Sequence, residues 1–199
     1  APYVDEYAGK KKILFVADTQ TRTPLAHEAV SHAMGTIEQL ARKAGYVVFL
    51  RTDTGAISRG PVYGAYATDG SLTSPGRNLN DFDAVVYYSS GETEMNQSQK
   101  RDLLKFVRED GKGFVGIHTA AVSLHTVPEY GEMLGAYFDT HPWFITTARM
   151  KVERPEFPGL QGFAANPTIR DEHYQFREPF DRNNVDVLMS IDNTSVDLK

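Results

Sequence analysis

The first strong feature of the chain is a continuous apolar run, Ile13-Leu14-Phe15-Val16-Ala17, entered from Lys10-Lys11-Lys12. A run without polar alternation is the pattern of a strand covered on both faces, as in a parallel sheet. The stretch from Asp18 to Thr23 is polar, and Pro24 suits the first turn of a helix. Val30, Met34, Ile37, Ala41 and Ala44 then recur at helical spacing until Gly45 stops the helix. Tyr46 to Leu50 and Ala84 to Tyr88 read as the second and third strands. Between them, Asp53 to Asn80 carries five glycines and little periodicity. A segment of that length predicts either a lid over a site or a decorated crossover. Asn96 with Gln99 has the form of a capping box, and Leu103, Phe106 and Val107 form the inward face of a second helix that ends at Gly111. Phe114, Val115 and Ile117 make a fourth strand, again reading as covered on both faces. Strands and helices alternating in this way predict an α/β fold, a parallel sheet with helices on both sides joined by right-handed crossovers.

Beyond His118 the order is less regular. Tyr130 to Leu134 predicts a short helix ending at Gly135. Phe138-Asp139-Thr140-His141-Pro142-Trp143 is a compact polar-aromatic knot. Phe144 to Glu153 alternates as a strand, Pro155 to Pro167 is loop, Thr168 to Phe176 contains Asp171-Glu172-His173-Tyr174, and Val185 to Ile191 is the last strand. Repeats and inter-domain linkers are absent from the pattern, which reads as one domain over 1–199.

Composition narrows the picture little. The 199 residues are 41% hydrophobic and 24% charged, with a net charge of −5, the balance of an ordinary globular domain. The lack of a basic stripe argues against nucleic acid, and no apolar run is long enough to span a membrane. Association into a homo-oligomer is compatible with the sequence. The chain has no cysteine, which removes disulfides, thiolate metal sites and cysteine nucleophiles together. Its opening, Ala-Pro-Tyr-Val-Asp-Glu without an initiator Met, fits either a mature N-terminus after signal removal or a trimmed chain. On that ground a periplasmic or secreted location is favoured over a cytoplasmic one.

The candidate chemistry centres on histidine. The fourth strand stops at His118, with Gly116 two residues before it and Ala120 two after. Small residues at those places are what a sharp strand-to-helix turn needs, and the apex residue then stands above the carboxyl end of the sheet, where ligands bind in open α/β folds. The alternative is a histidine that merely ends a buried strand. His27 follows the first strand and can serve as a base or metal ligand, or pack against backbone. His141 precedes a proline, which biases it to extended geometry, and Trp143 nearby can stack on a sugar ring or staple a turn with Phe138. Glu172 and Tyr174 share one face if their segment is extended, and a carboxylate beside a phenol suits acid–base work or hydroxyl binding. Glu92, after the third strand, is a weaker binding candidate, and His32 and His125 read as surface residues. Three histidines and a carboxylate (His27, His118, His141 and Glu172) could also hold a divalent zinc, manganese or iron ion, although they lack tight local spacing.

These motifs also carry a resemblance. Gly111 to His118, Leu134-Gly135-Ala136-Tyr137-Phe138 with His141-Pro142-Trp143, Asp171 to Tyr174, and the early His27 are similar in order and spacing to motifs of the trehalose-utilisation (ThuA-like) family. That family is a branch of the class I glutamine amidotransferase-like superfamily. The resemblance runs from about Ile13 to about Asp192. It implies a flavodoxin-like three-layer sandwich with a mainly parallel central sheet, and a role in carbohydrate metabolism on a disaccharide or keto-sugar. On this reading His118, His27 and Glu172 carry acid–base or metal-assisted chemistry, and His141, Trp143, Tyr174 and Glu92 position a small-molecule carbohydrate. The reaction is an isomerisation, elimination or hydrolysis; the alternative is a non-catalytic sugar-binding or interaction module. Family members continue into a Pro-x-x-Trp segment and a Gly-Lys-Gly-Arg strand, so the chain is expected to be cut at its C-terminus. The superfamily's amidotransferases place a nucleophilic Cys at the elbow. With His118 there and no cysteine in the chain, glutamine hydrolysis through a thioester is excluded.

Overall fold

The computed structural model describes residues 4–17, 27–92 and 94–197. The chain divides into two compact units, Ala1–Met133 and Leu134–Lys199. Among the described residues no helix is long and apolar enough to cross a membrane.

The first unit is built on β1 (Lys12–Val16), β2 (Val47–Arg51), β5 (Ala84–Tyr87) and β6 (Gly113–Gly116), which form a four-stranded sheet in the order β2-β1-β5-β6. All three pairings are parallel. Helix α1 (Ala29–Lys43) joins β1 to β2, and α2 (Gln97–Arg108) joins β5 to β6. The two crossovers leave the middle of the sheet in opposite directions, so right-handedness places α1 and α2 on opposite faces. The strands β1 and β5 lie at the centre, and from Ile13 and Ala84 onward they are apolar for that reason. Leu14, Phe15, Val16, Val85 and Tyr87 are fully buried. Val30, Ala33, Met34 and Ile37 of α1 pack on Phe15, Ala17, Val86 and Tyr88. Tyr87 makes ring contacts with Phe114 and Tyr130 on the opposite face.

Two expectations change here. The strand leading to His118, expected to be covered on both faces, is β6 at the edge of the sheet, and its Val115 is 51% exposed. An apolar run reads alike at the edge and at the centre, so periodicity could not separate them. The helix also begins at Ala29, later than the start expected from Pro24, with His27 two residues before it; Pro24 lies outside the described residues.

The long segment between β2 and β5 is a decorated crossover. Thr54, Ala56, Ile57 and Leu79 are buried. The Gln99 side chain donates to the Thr54 carbonyl at 2.7 Å, and the Arg59 N–H donates to Asp102 at 2.8 Å, pinning the segment to α2. Its decoration is a hairpin of β3 (Ala65–Tyr66) and β4 (Leu72–Ser74). Gly76 is required beside it, because a Cβ there would sit 1.8 Å from the Val62 carbonyl oxygen.

Helix α3 (Pro128–Leu134) ends at Gly135, which has a φ of 81°. In the second unit β8 (Ile145–Val152) pairs antiparallel with β9 (Thr168–Glu172) and β11 (Met189–Ile191), while β7 (Tyr137–Thr140) pairs with β10 (Gln175–Arg177). The chain changes sheets between β9 and β10, at His173 and Tyr174. A turn at Asn193–Ser195 is stitched to β8: Arg149 donates to Asp192 at 2.6 Å and to Thr194 at 2.9 Å.

The edge position of β6 is testable in denaturant melts. Val115→Thr should shift stability by less than about 0.5 kcal/mol, whereas Val85→Ala, in the middle of the same sheet, should cost about 2 kcal/mol.

Candidate functional site

The strand order of the parallel sheet in the first unit reverses between β1 and β5. That switch point, at the carboxyl ends of the strands, is where open α/β sheets bind ligands. The histidines meet there. β6 ends at Gly116, the Ile117 N–H donates to the Tyr87 carbonyl at 2.9 Å, and the chain then turns sharply into a 3-10 turn at His118–Val122. His118 takes the turn with a φ of 49°. Left-handed backbone costs a residue with a Cβ about 1–2 kcal/mol and persists only when its surroundings enforce it. The enforcement is visible. The Tyr130 hydroxyl donates to the Ala120 carbonyl at 2.9 Å. The Ser123 hydroxyl lies 2.8 Å from the Ser89 carbonyl oxygen and 3.2 Å from that of Thr119. Thr119, Ala120 and Ser123 are buried.

His27 arrives from the connection between β1 and α1, its carbonyl accepting from the Val30 N–H at 3.1 Å. Its ring centroid lies 4.7 Å from that of His118, the planes tilted by 51°. Tyr88, one residue past β5, stands edge-on to His118 at 5.9 Å. Both histidines are partly exposed. Imidazole accepts a proton at one nitrogen and donates one from the other, so the pair can move protons to and from a bound molecule.

Glu92 is engaged elsewhere. Its carboxylate accepts from the Thr126 N–H at 2.9 Å and hydroxyl at 2.7 Å, and from Lys100 Nζ at 3.1 Å. Burial pushes this carboxyl up, but the bonds from Thr126 and Lys100 outweigh it and hold Glu92 below the usual carboxylate range. A cleft of about 320 Å³ lies on the β2 side of the unit, lined by Phe49, Arg51, Val62, Arg77 and Phe82 among others. Arg77 is held there by Asp5 at 2.8 Å and lies over the Phe49 ring at 4.8 Å. No candidate residue lines this cleft.

In the second unit the turn after β7 gathers aromatic rings. Tyr174 lies 4.5 Å from Phe138 and stacks on His141 at 6.1 Å, while Phe144 meets His141 edge-on at 5.6 Å. Among the described residues the buried Nδ1 of His141 has no hydrogen-bond partner. Trp143 donates its indole N–H to the Asp197 carbonyl, which ties the turn after β7 to the segment that follows Asn193–Ser195. Glu172 ends β9 and Tyr174 lies past the change of sheets, so no single extended strand carries both. His173 between them is buried, with Nε2 3.2 Å from the Thr146 carbonyl oxygen. The structure thus brings together His27 with His118 in one unit and His141 with Tyr174 in the other. Among the described residues no group of three or more His, Asp or Glu is placed to hold a metal ion. Sequence reasoning missed Tyr88; the signal was its position two residues after Val86, on the same face of a strand at the switch point.

A model of the ThuA family, described as trehalose utilisation, matches residues 12–198. The chain belongs to the ThuA family. In structure this ThuA chain is similar to a protein described as ThuA-like from Bacteroides uniformis, with a TM-score of 0.66 and 21% identity over 95% of this chain and 71% of that one. It is also similar to one so described from Parabacteroides merdae, with a TM-score of 0.61 and 15% identity over 92% and 68%. At such identities the likeness shows the fold. A comparison with curated proteins gave no match. The ThuA fold here is the parallel α/β arrangement expected from the sequence, and the family is linked to trehalose utilisation.

The clasp at Glu92 predicts a pH-dependent loss in one variant. Lys100 is nearly buried whereas Glu92 is 41% exposed at its side chain, so Glu92→Gln should cost only about 1 kcal/mol at neutral pH. A carboxyl held below its ordinary value stabilises the fold above that value and loses the contribution as it protonates. The deficit should therefore shrink as pH falls below the ordinary carboxylate range, as urea melts at neutral pH and at about pH 3 would measure.

Proposed function

We propose that this ThuA-family chain is a carbohydrate-metabolism enzyme that acts on a disaccharide or keto-sugar by proton transfer, with His118 and His27 as the acid–base pair. The observation that carries the reading is His118 held in left-handed backbone at the switch point, in ring contact with His27. Strain of this kind collects at functional sites. Of the reactions open to such a pair, isomerisation or elimination next to a carbonyl needs what two imidazoles provide: one takes a proton from carbon or hydroxyl, the other returns one to oxygen. The aromatic faces of Phe138, Tyr174 and His141 in the second unit suit a sugar ring, with Glu172 as a neighbouring acceptor for hydroxyls. That grouping also favours the second reading, a non-catalytic sugar-binding module.

Turnover of trehalose and of its keto derivative by the purified protein tests the proposal. His118→Ala and His27→Ala should each lower kcat by about 10²-fold or more, while melts show a change of about 1 kcal/mol or less. His118→Gly should be at least as stable as His118→Ala, because glycine adopts the left-handed conformation freely. Sugar binding without turnover in the wild type would favour the module.

The same assay should be run after chelation, because two imidazoles fall short of the three or more protein ligands usual for a catalytic zinc. On plain acid–base chemistry activity should survive complete metal removal. Loss on chelation and recovery with zinc, manganese or iron would assign a metal-assisted step.

A further inference from the structure

The segment after β5 holds two buried polar groups that the site so far leaves unused. Ser89 is 3% exposed and Ser90 4%, and among the described residues neither hydroxyl has a hydrogen-bond partner. Buried hydroxyls are nearly always paired, and leaving one unpaired is costly, so orphans ask for a reason. Neighbouring hydroxyls show that partners are within reach in this region: Ser123 and Tyr130 both find carbonyls.

Backbone bonding fixes which way the two serines face. The Tyr87 carbonyl accepts from Ile117, the Ser89 carbonyl from the Ser123 hydroxyl, and the Gly91 N–H donates to Val122, all toward the β6 side. The Tyr88 N–H donates the other way, to Val16 of β1. This period of two is that of a chain still extended from Tyr87 to Ser90, with the turn coming at Gly91, whose φ is 70°, so Tyr88 and Ser90 share one face and Tyr87 and Ser89 the other. The face of Tyr88 is the one that carries α1 and the ring of His118.

We infer that Ser90 is a substrate-positioning residue, whose hydroxyl bonds a hydroxyl or carbonyl oxygen of a sugar held at the His27–His118 pair. The inference rests on the carbohydrate reading proposed above. Because the hydroxyl is covered, the contact requires a local opening of the site when the sugar enters. Ser89, on the opposite face beneath the elbow, makes no such contact.

The test is thermal denaturation of the full chain and of Ser90→Ala, Ser89→Ala and His118→Ala, each alone and with saturating trehalose, maltose or glucose, with steady-state kinetics beside it. In the absence of sugar, Ser90→Ala should melt no lower than the wild type, and up to about 2 °C higher, because it removes an unpaired buried hydroxyl. The wild type should gain Tm with a sugar, Ser89→Ala should gain as much, and Ser90→Ala should gain little. KM should rise about tenfold in Ser90→Ala with kcat largely kept, which a structural role would not produce. A Ser90→Ala protein that melts several degrees lower without sugar would show a paired, structural hydroxyl and overturn the inference. Equal sugar responses in wild type and Ser90→Ala would overturn it while leaving the proposed function intact. Loss of the response in both serine variants would overturn the assignment to one face. A wild type indifferent to all three sugars would overturn the carbohydrate reading, and this inference with it.

Discussion

Most of what is functional in the first unit depends on one clamp. The backbone at His118 sits in a conformation that a side-chain-bearing residue avoids, and it stays there because hydroxyls of Tyr130 and Ser123 engage carbonyls within the turn and just past β5. The clamp ties three elements together: Tyr130 belongs to α3, Ser123 follows the 3-10 turn, and Ser89 extends β5. Each is buried, so the strain at the apex is balanced against packing that cannot relax separately. The imidazole of His118 is thereby held in ring contact with His27 and Tyr88.

The elbow was legible in the sequence because a strand that stops abruptly between small residues suits a sharp turn and little else. His27 was placed near it by topology: a residue after the first strand of a doubly wound sheet opens onto the switch point. The second unit was harder to read. Glu172 and Tyr174 would share a face if Asp171 to Tyr174 were one extended strand, yet the chain leaves one sheet at Glu172 and joins another at Gln175. Such a change depends on partners distant in sequence, which periodicity does not encode. The edge position of β6 was hidden for the same reason, since the number of neighbours a strand has is a property of topology and not of its own residues.

Charge and chemistry are kept apart in this molecule. Glu92 lies beyond the strand end where ligands gather, but its lone pairs are taken by Thr126 and Lys100. Arg77 is likewise held by Asp5 and two aromatic rings. Among the described residues these carboxylate and guanidinium groups serve as fasteners, whereas His27, His118 and Tyr88 bring imidazole and phenol to the switch point.

The stitch between Arg149 and the turn at Asn193–Ser195 has a consequence for acid tolerance. Hydrogen bonds from Thr194 and then Arg149 pull Asp192 down to about 2 from an ordinary 3.8. A group shifted this way adds stability above its unfolded value and surrenders it only as pH falls through the folded one. At acidities that neutralise common carboxylates, this fastening keeps its charge. The turn should stay docked on its strand after other ionic ties in the second unit have let go.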